Sequence, residues 1–444
     1  MKQMFKLLFV GVMVGITIIF SGCGSSGNEG ANSVGSNLVS SEVMDDIDAS
    51  AVLGMVKASG IDANATNAFA YKAVKIIYKT TNIKGDSINA SGLLVIPTPT
   101  DAYNAYLASI GKTFSLSAVC DNHGTIFLDT EAPTKVEEAR HYYPDALLLS
   151  GYAGFVSILP DYVGFGDSKG EVHPYVMKQS ARASLDMIRA SVKYMTDNHV
   201  LFNGQLYLTG YSEGGYITMA LAQDIEENHS SEFQVMGVAP MDGPYDVEGL
   251  AAFDLNANMK MVYPAFLAEI ASSYSKAYDD INISDLVVKP DIFNSIDLFG
   301  GDYDTVPIHV ALGLADVTTG DYGFNTHYAN ELFTDSFIND YQGNLNNPAR
   351  VRFAQNSVYD WTPKSKMNII GCVDDEIIPF TLSAQKAYDA FIANGAKSVT
   401  LSPIPSSYIP PATPTTPFVH QRCGSVAYGM ATKWFSDIRS GAIK

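Results

Sequence analysis

The sequence predicts an α/β fold in which a mostly parallel sheet is flanked by helices. From about Ala70 onward, short β-rich runs alternate with stretches of helical periodicity, a pattern typical of parallel strands joined by crossover helices. One long region, about 245–363, interrupts this alternation and has no strand–helix rhythm of its own. The chain has 444 residues, which is enough for one large domain that carries such an insertion.

The predicted strands are runs of β-branched and aromatic residues bounded by turn residues. In chain order they are 73–81, 91–97, 114–120, 154–160, 205–209, 233–239, 366–371 and 398–403. We expect the first two to form a hairpin around the polar turn at 84–86. Helices are predicted over 176–198, 213–226 and 381–394, because apolar residues recur there at helical spacing.

The interrupting region follows the sixth predicted strand. It contains amphipathic, aromatic-rich stretches such as residues 261–267. We interpret residues 245–363 as a helical cap inserted after strand 6, covering a site at the ends of the strands. A separate binding domain is the alternative, although no flexible linker flanks the region.

The first 22 residues are predicted to be a lipoprotein signal peptide. Lys2 and Lys6 precede the apolar run 7–20, which is too short to span a bilayer comfortably and suits an exported leader. The run ends in Phe-Ser-Gly-Cys, which resembles a bacterial lipobox and predicts lipidation of Cys23. An ordinary signal peptide with an incidental cysteine is the alternative.

The segment that follows is rich in Gly, Ser and Asn over residues 24–41, a composition that favours a flexible tether. We assign residues 23–65 to the lipidated tether and N-terminal segment, and residues 66–444 to the α/β domain. Gly24, rather than an aspartate, follows the lipobox cysteine. By resemblance to lipoprotein sorting in Gram-negative cells, this predicts a protein anchored by lipid to the cell envelope, at the outer membrane.

Charge and cysteine content exclude some functions. The formal net charge of −19 repels phosphate backbones, so no nucleic-acid partner is expected. No CxxC motif or His/Cys cluster indicates a metal site. In an oxidising compartment, Cys372 and Cys423 are our predicted disulfide pair, since each lies near a candidate catalytic residue; three reduced thiols, including Cys120, are the alternative.

The chemistry is indicated by the Gly-Tyr-Ser-Glu-Gly sequence at 210–214. A β run at 206–209 precedes it, and a helix lined with small residues follows at 214–220. This strand–turn–helix context is that of the nucleophile in α/β-hydrolases. The sequence therefore predicts an α/β-hydrolase fold with Ser212 as the nucleophile.

A serine nucleophile needs a base and an acid, which follow it in that fold in the order Ser, acid, His. His420 alone among the histidines follows the last predicted strand. The acid is expected after the next-to-last strand, where spacing to the following proline selects Asp375 and spacing from the preceding glycine selects Asp374. We predict Asp375 as the acid and keep Asp374 as the alternative. Asp242, after the sixth strand, is a more distant alternative.

An oxyanion hole needs two backbone N–H groups aimed at the tetrahedral intermediate. One is expected from Glu213, directly after the nucleophile. The other is expected from the loop after the third strand, from Thr125 or Gly124. His123 in this loop is interpreted as a loop-shaping residue rather than a second base.

These motifs resemble the secretory lipase family, which includes fungal lipases of the lipase A type and bacterial relatives. The resemblance rests on Gly-Tyr-Ser-Glu-Gly-Gly at 210–215, Pro-Asp-Tyr-Val-Gly-Phe-Gly at 160–166, Asp-Glu-Ile-Ile-Pro at 375–379 and His420. It covers roughly residues 70–440 and implies ester hydrolysis, a helical cap over the site and no cofactor. The lipoprotein anchor is a departure from the freely secreted fungal members.

The function predicted from the sequence is thus a carboxylic-ester hydrolase, an esterase or lipase, that forms an acyl-enzyme on Ser212. The apolar cap indicates an acyl or other hydrophobic ester as substrate. A serine peptidase of the same fold is one alternative. A non-catalytic lipoprotein that binds hydrophobic ligands is another, although such a protein has no reason to keep a serine, an acid and a histidine in this order.

Overall fold

The computed structural model describes residues 37–63, 68–135, 144–256 and 259–443. The predicted signal peptide, Cys23 and the part of the tether before Asn37 lie outside these ranges. Within them, no helix combines the length and the apolar character that crossing a bilayer requires.

In the described ranges, nine strands form one sheet with the order β1-β2-β3-β5-β4-β6-β7-β8-β9. Their bounds are β1 Leu38–Ile47, β2 Ala70–Thr81, β3 Ser87–Thr98, β4 Leu116–Asn122, β5 Val156–Pro160, β6 Phe202–Tyr211, β7 Gln234–Met241, β8 Met367–Cys372 and β9 Val399–Ile404. The pairings β1–β2, β2–β3 and β3–β5 are antiparallel, and those from β5 through β9 are parallel. The predicted opening hairpin and mostly parallel sheet are confirmed.

Helices cover both faces of the sheet. Their bounds are α1 Ala49–Ala58, α2 Asp101–Ser109, α3 Pro144–Ala146, α4 Ser180–Asp197, α5 Glu213–Asn228, α6 Val247–Asp254, α7 Pro264–Ala277, α8 Ile283–Leu286, α9 Pro290–Ser295, α10 Thr305–Leu312, α11 Ala329–Leu332, α12 Asp335–Gly343, α13 Pro348–Asn356, α14 Ala384–Ala393 and α15 Val419–Ser440. A π-helical segment, Leu147–Tyr152, continues α3.

Neighbouring residues on β6 show how the two faces are filled. Leu208 lies in the core cluster that contains Leu185 of α4 and Ile217 of α5. Tyr207, whose side chain points to the other face, packs on Phe435 of α15 with ring centroids 5.0 Å apart. Because both faces are covered, the central strands are continuous apolar runs, which is why the sequence reveals them.

The N-terminal boundary predicted for the α/β domain is wrong. Residues 38–41, assigned to the tether, belong to β1, which pairs with β2 from Leu38 opposite Tyr78 to Ile47 opposite Tyr71. Most β1 side chains are exposed or half-buried, so the strand has no hydrophobic alternation to reveal it. Pairing with the edge of β2, rather than local propensity, makes it a strand; the domain therefore begins before residue 66.

The cap insertion lies between β7 and β8 and adds no strand to the sheet within the described residues. It consists of the eight helices α6 to α13 there. Its place agrees with the prediction, because β7 is the sixth strand of the predicted series once the unpredicted β1 is set aside.

Asp161, in the Pro-Asp-Tyr-Val-Gly-Phe-Gly motif, directly follows β5 and has a carboxyl group that holds the surrounding structure together. It is fully buried and accepts hydrogen bonds from Ser91 Oγ at 2.5 Å, Thr134 N at 2.9 Å and Thr134 Oγ1 at 2.5 Å. Burial raises the pKa of Asp161, and these hydrogen bonds oppose that rise. A Cβ on Gly166, which has φ +59°, would lie 2.3 Å from Asp161 Oδ2. The carboxylate thus joins β3 to the loops around it.

We predict that Asp161→Ala lowers the free energy of unfolding by about 3 kcal/mol, because three buried donors lose their acceptor. Urea denaturation followed by tryptophan fluorescence measures the change. Asp62→Ala, at an exposed carboxyl, is the matched control and should stay within about 0.5 kcal/mol of the wild type. Equal midpoints and slopes for both variants would contradict the assigned role.

Candidate active site

Ser212 lies in the turn between β6 and α5. Its backbone has φ 60° and ψ −123°, a conformation that is costly for a non-glycine residue and recurs at functional sites. The turn is tight because α5 comes very close to the end of β4: a Cβ on Gly214 would lie 1.8 Å from the carbonyl oxygen of Asn122. Only glycine fits there, as the glycines flanking the serine led us to expect.

His420 is the second residue of α15, and its ring lies between Ser212 and Asp375. Its Nε2 is 2.7 Å from Ser212 Oγ, and its Nδ1 is 2.6 Å from Asp375 Oδ2. Both the His420 and Asp375 side chains are buried. The structure therefore brings together the serine, histidine and acid that the sequence singled out, in a continuous chain of hydrogen bonds.

The three consecutive acids after β8 have three different environments. Asp375 faces His420 and also accepts from the N–H groups of Ile377 and Ile378, each at 2.7 Å. Asp374 is exposed and accepts from Ser406 Oγ. Glu376 accepts from Val419 N at 2.8 Å, so it caps the helix that carries His420. Of these three acids, Asp375 is the one whose carboxylate bonds the imidazole ring of His420.

Asp242, the third alternative acid, also lies beside His420. Its Oδ2 is 3.6 Å from His420 Nδ1, and its Oδ1 accepts from the N–H of Cys372 at 3.1 Å. The hydroxyl of Tyr211 is 3.1 Å from Asp242 Oδ2 and 2.7 Å from the carbonyl oxygen of His420. Two carboxyl groups, rather than one, therefore flank this imidazole.

The two carboxyl groups differ in their electrostatics. Burial and the charge of Asp375 raise the pKa of Asp242 to about 8. Burial would also raise the pKa of Asp375, but its attraction to His420 holds it below the ordinary value. Burial alone would lower the pKa of His420, whereas the charges and hydrogen bonds of the two acids raise it to about 10. Asp375 is thus the ionised partner of His420. The two carboxyl groups together stabilise the imidazolium form of His420.

A disulfide joins Cys372 to Cys423. Cys372 ends β8, three residues before Asp375, and Cys423 lies three residues after His420 on α15. The bond therefore ties the acid loop to the helix that carries the imidazole. Cys120 is a buried free thiol on β4.

The residues predicted for the oxyanion hole lie next to Ser212. Glu213 is the first residue of α5, so its N–H is among those that a helix leaves without an intrahelical acceptor. A Cβ on Gly124 would lie 3.6 Å from Ser212 Cβ, so the loop after β4 lies against the nucleophile. Thr125 follows and bonds the hydroxyl of Tyr175 at 2.9 Å through Oγ1. His123 bonds the carbonyl oxygen of Gly124 at 2.8 Å, as suits a loop-shaping residue.

A cavity leads from Ser212 into the cap and encloses about 1020 Å³, including space open to solvent. Its walls are mostly apolar side chains of α6, α7 and later cap helices: Val247, Leu250, Leu255, Phe266, Leu267, Ile270, Phe333, Phe337 and Phe353. The charged groups among its lining residues are the acids Glu213, Asp254 and Glu376. The cavity thus suits an uncharged apolar group bound beside the serine.

Sequence reasoning missed one pair of buried polar residues at the site. His173 Nε2 lies 2.7 Å from Glu213 Oε1, and both side chains are almost inaccessible to solvent. No motif surrounds His173, and Glu213 was considered only for its backbone N–H. The signal that was available is the charged residue at the fourth position of the Gly-Tyr-Ser-Glu-Gly turn, which must be buried when the turn packs.

Potential metal ligands converge only around His420 in the described part of the chain. Asp242 forms one such group with Asp375 and His420, and another with Cys372 and Cys423. The first group is the hydrogen-bonded set beside Ser212, and the cysteines of the second are joined to each other.

Residues 134–273 match the model of the secretory lipase family. This match confirms the family resemblance that the motifs indicate, and it supports an ester hydrolase. The matched segment contains Asp161, the Ser212 turn and the start of the cap, through α6 and most of α7. No curated protein matches the sequence.

Solved structures confirm the α/β-hydrolase fold. The rice cell wall degrading esterase LipA from Xanthomonas oryzae is 20% identical, with a TM-score of 0.73 over 92% of this chain and 98% of that one. A putative hydrolase from Legionella pneumophila is 20% identical, with a TM-score of 0.71 over 90% and 98%. Candida antarctica lipase A is 18% identical, with a TM-score of 0.55 over 83% and 76%. At these identities the likeness concerns the fold.

We predict that variants of Asp375 and of Asp374 differ in kcat. Asp375→Asn removes the charge that orients and stabilises the His420 imidazolium and should lower kcat about 1,000-fold or more. Asp374→Asn, at the exposed neighbour, is the matched control and should stay within about twofold. Steady-state kinetics on a soluble ester measures both, and a larger loss in Asp374→Asn would reverse the assignment.

Proposed function

We propose that this protein is an extracytoplasmic carboxylic-ester hydrolase that uses Ser212, His420 and Asp375 as a catalytic triad. The observation that carries the proposal is the unbroken hydrogen-bond chain from Ser212 Oγ through the His420 ring to Asp375. A strained serine at a helix N-terminus, aligned with a buried imidazole and an ionised carboxylate, is the arrangement that activates a hydroxyl for acyl transfer.

In the proposed reaction, His420 Nε2 takes the proton of Ser212 as Oγ attacks the ester carbonyl carbon. The N–H of Glu213 and an N–H of Gly124 or Thr125 stabilise the oxyanion of the tetrahedral intermediate. His420 then gives its proton to the departing alcohol, which leaves an acyl group on Ser212. A water molecule, deprotonated by the same imidazole, releases the carboxylic acid and restores the serine.

The cavity supports an uncharged, apolar acyl group as the part of the substrate that is bound beside Ser212. Its walls are aliphatic and aromatic, and its lining residues include three acids but no cation that would neutralise an anionic chain. This supports an esterase or lipase for hydrophobic esters over an enzyme for dicarboxylic or phosphorylated acyl groups.

The proposed location is the bacterial cell envelope, with the chain anchored through a lipid on Cys23. The basic start, the apolar run and the lipobox-like sequence support it. The match to a secretory family supports export. Gly24 after the cysteine supports the outer membrane as the final place.

We predict that p-nitrophenyl esters are hydrolysed, with kcat/KM rising from acetate toward medium-length acyl chains as they fill the cavity.

A fluorophosphonate probe should label the wild type and not Ser212→Ala, because the probe phosphonylates an activated serine and releases fluoride. Ser402→Ala, at a half-buried serine on β9, is the control and should label as the wild type does. Turnover of chromogenic dipeptides without ester turnover would identify a peptidase instead, and absence of labelling would identify a non-catalytic binding protein.

We predict that Cys23→Ala moves the protein from the membrane fraction to the soluble fraction of the producing bacterium. The variant has no thiol to carry the lipid anchor, and a single segment without lipid is held weakly. Immunoblots of fractionated cells and incorporation of labelled palmitate measure this. Continued palmitate labelling of the variant would contradict the proposed anchor.

A further inference from the structure

A second buried histidine–acid pair lies behind the nucleophile turn. His173 Nε2 is 2.7 Å from Glu213 Oε1, and the two side chains are 3% and 2% exposed. The Nδ1 of His173 is 2.9 Å from the carbonyl oxygen of Val163. A carbonyl oxygen only accepts hydrogen bonds, so Nδ1 carries a hydrogen. Both ring nitrogens are thus engaged, and the imidazole is held in one orientation against Glu213.

His173 belongs to a loop, residues 163–176, that we call the strap. The strap runs between the nucleophile turn and the cap. Its backbone packs tightly on itself, since a Cβ on Gly164 would lie 3.0 Å from His173 Cβ. The His173 ring stacks near Tyr162, with ring centroids 5.8 Å apart and an angle of 10° between the planes. The strap therefore presents His173 to Glu213 on a rigid support.

The strap also holds the second side of the proposed oxyanion hole. The hydroxyl of Tyr175, two residues after His173, is 2.9 Å from Thr125 Oγ1. Glu213 is expected to supply one donor for the oxyanion, and Thr125 or its neighbour Gly124 is expected to supply the other. The two sides come from β-strand ends on different parts of the chain. One short segment thus bonds the side chains of both.

The cap is attached to the same segment. Ser273 Oγ of α7 donates to the carbonyl oxygen of His173 at 2.6 Å and accepts from the N–H of Tyr175 at 3.1 Å. The hydroxyl of Tyr274 donates to the carbonyl oxygen of Val176 at 2.8 Å. Three hydrogen bonds, at His173, Tyr175 and Val176, therefore link α7 to the strap.

We propose that the strap is the positioning element of the oxyanion hole, in which His173 fixes Glu213, Tyr175 fixes Thr125, and Ser273 links both to the cap. This proposal rests on the proposed function as an ester hydrolase. None of the three residues contacts the reacting atoms. They set the distance between the two N–H donors, on which stabilisation of the tetrahedral intermediate depends.

Glu269 of α7 provides a matched control for charge near the strap. Its side chain is buried, and its Oε2 has no hydrogen-bond partner in the described ranges. Burial, with the charge of Glu213 adding to it, raises the pKa of Glu269 well above the ordinary value. Glu269→Gln keeps the shape of the side chain, and Glu269 bonds neither Glu213 nor Thr125, so this variant should leave kinetics as in the wild type.

The test uses the full chain and the variants Glu213→Ala, Glu213→Gln, Tyr175→Phe and Glu269→Gln. Glu213→Ala keeps the backbone N–H and loses only the side chain, and Tyr175→Phe loses one hydroxyl. Each should lower kcat on a p-nitrophenyl ester about tenfold with KM unchanged, which is less than the 100- to 1,000-fold loss for removing a donor outright. Glu213→Gln, which can still bond His173, should restore most of the activity.

A second readout separates positioning from general loss of structure. Affinity for a trifluoromethyl ketone, which forms a charged tetrahedral adduct on the serine, should fall by the same factor as kcat/KM across the variants. Affinity for a non-reactive ketone of the same length should stay constant. If Glu213→Ala does not fold, as judged by thermal melting, Tyr175→Phe decides the matter alone.

The outcomes are distinct. Wild-type kcat and unchanged trifluoromethyl ketone affinity in Tyr175→Phe and Glu213→Ala would overturn the strap proposal while leaving the ester hydrolase intact. A change in KM and in the affinity of both ketones would also overturn it, because it would indicate a substrate-binding role. A wild type that neither turns over esters nor reacts with a fluorophosphonate would overturn the proposed function and the strap proposal together.

Discussion

Every part of the candidate active site depends on how closely the Ser212 turn packs against the end of β4. The helix α5 starts so near to β4 that a Cβ on Gly214 would overlap the carbonyl oxygen of Asn122. The Asn122 side chain strengthens this contact, since its Nδ2 donates to Thr218 Oγ1 of α5 at 3.0 Å and its Oδ1 accepts from Ser184 Oγ of α4 at 2.6 Å. The strained serine, the start of α5 and the loop after β4 therefore form one rigid unit.

The central fold was predictable because its strands are buried on both faces. Such strands are continuous apolar runs that a single sequence displays clearly, and β4, β5 and β8 are buried along their whole length. The edge strand β1 was not predictable, since its side chains are exposed or half-buried without a hydrophobic alternation and its pairing with β2 makes it extended. The same distinction between local and tertiary causes applies to the site. The glycines beside Ser212 indicate its role in the sequence itself, whereas His173 contacts Glu213 only when the strap folds over α5.

The acid illustrates where sequence reasoning ends. Two spacing rules give different acids after β8, Asp375 and Asp374, and a linear pattern has no means of choosing between the rules. The turn at the end of the strand directs Asp375 inward, leaves Asp374 at the surface and directs Glu376 to the start of α15. Asp242 adds a fourth carboxyl from a neighbouring strand, because the carboxyl ends of parallel strands meet at one edge of a sheet.

The bond between Cys372 and Cys423 makes the site dependent on the redox state of its surroundings. The acid loop follows β8 and the imidazole is carried by α15. These two parts are joined by packing, by the hydrogen bonds of Asp375 and Glu376 to the start of α15, and by this covalent link. In a reducing compartment the link is open, and the two loops are held by non-covalent contacts alone. In an oxidising compartment the link closes within four residues of both Asp375 and His420. The contact between Asp375 and His420 is thus held by non-covalent interactions alone where the chain is made, and by an additional covalent link where disulfides persist.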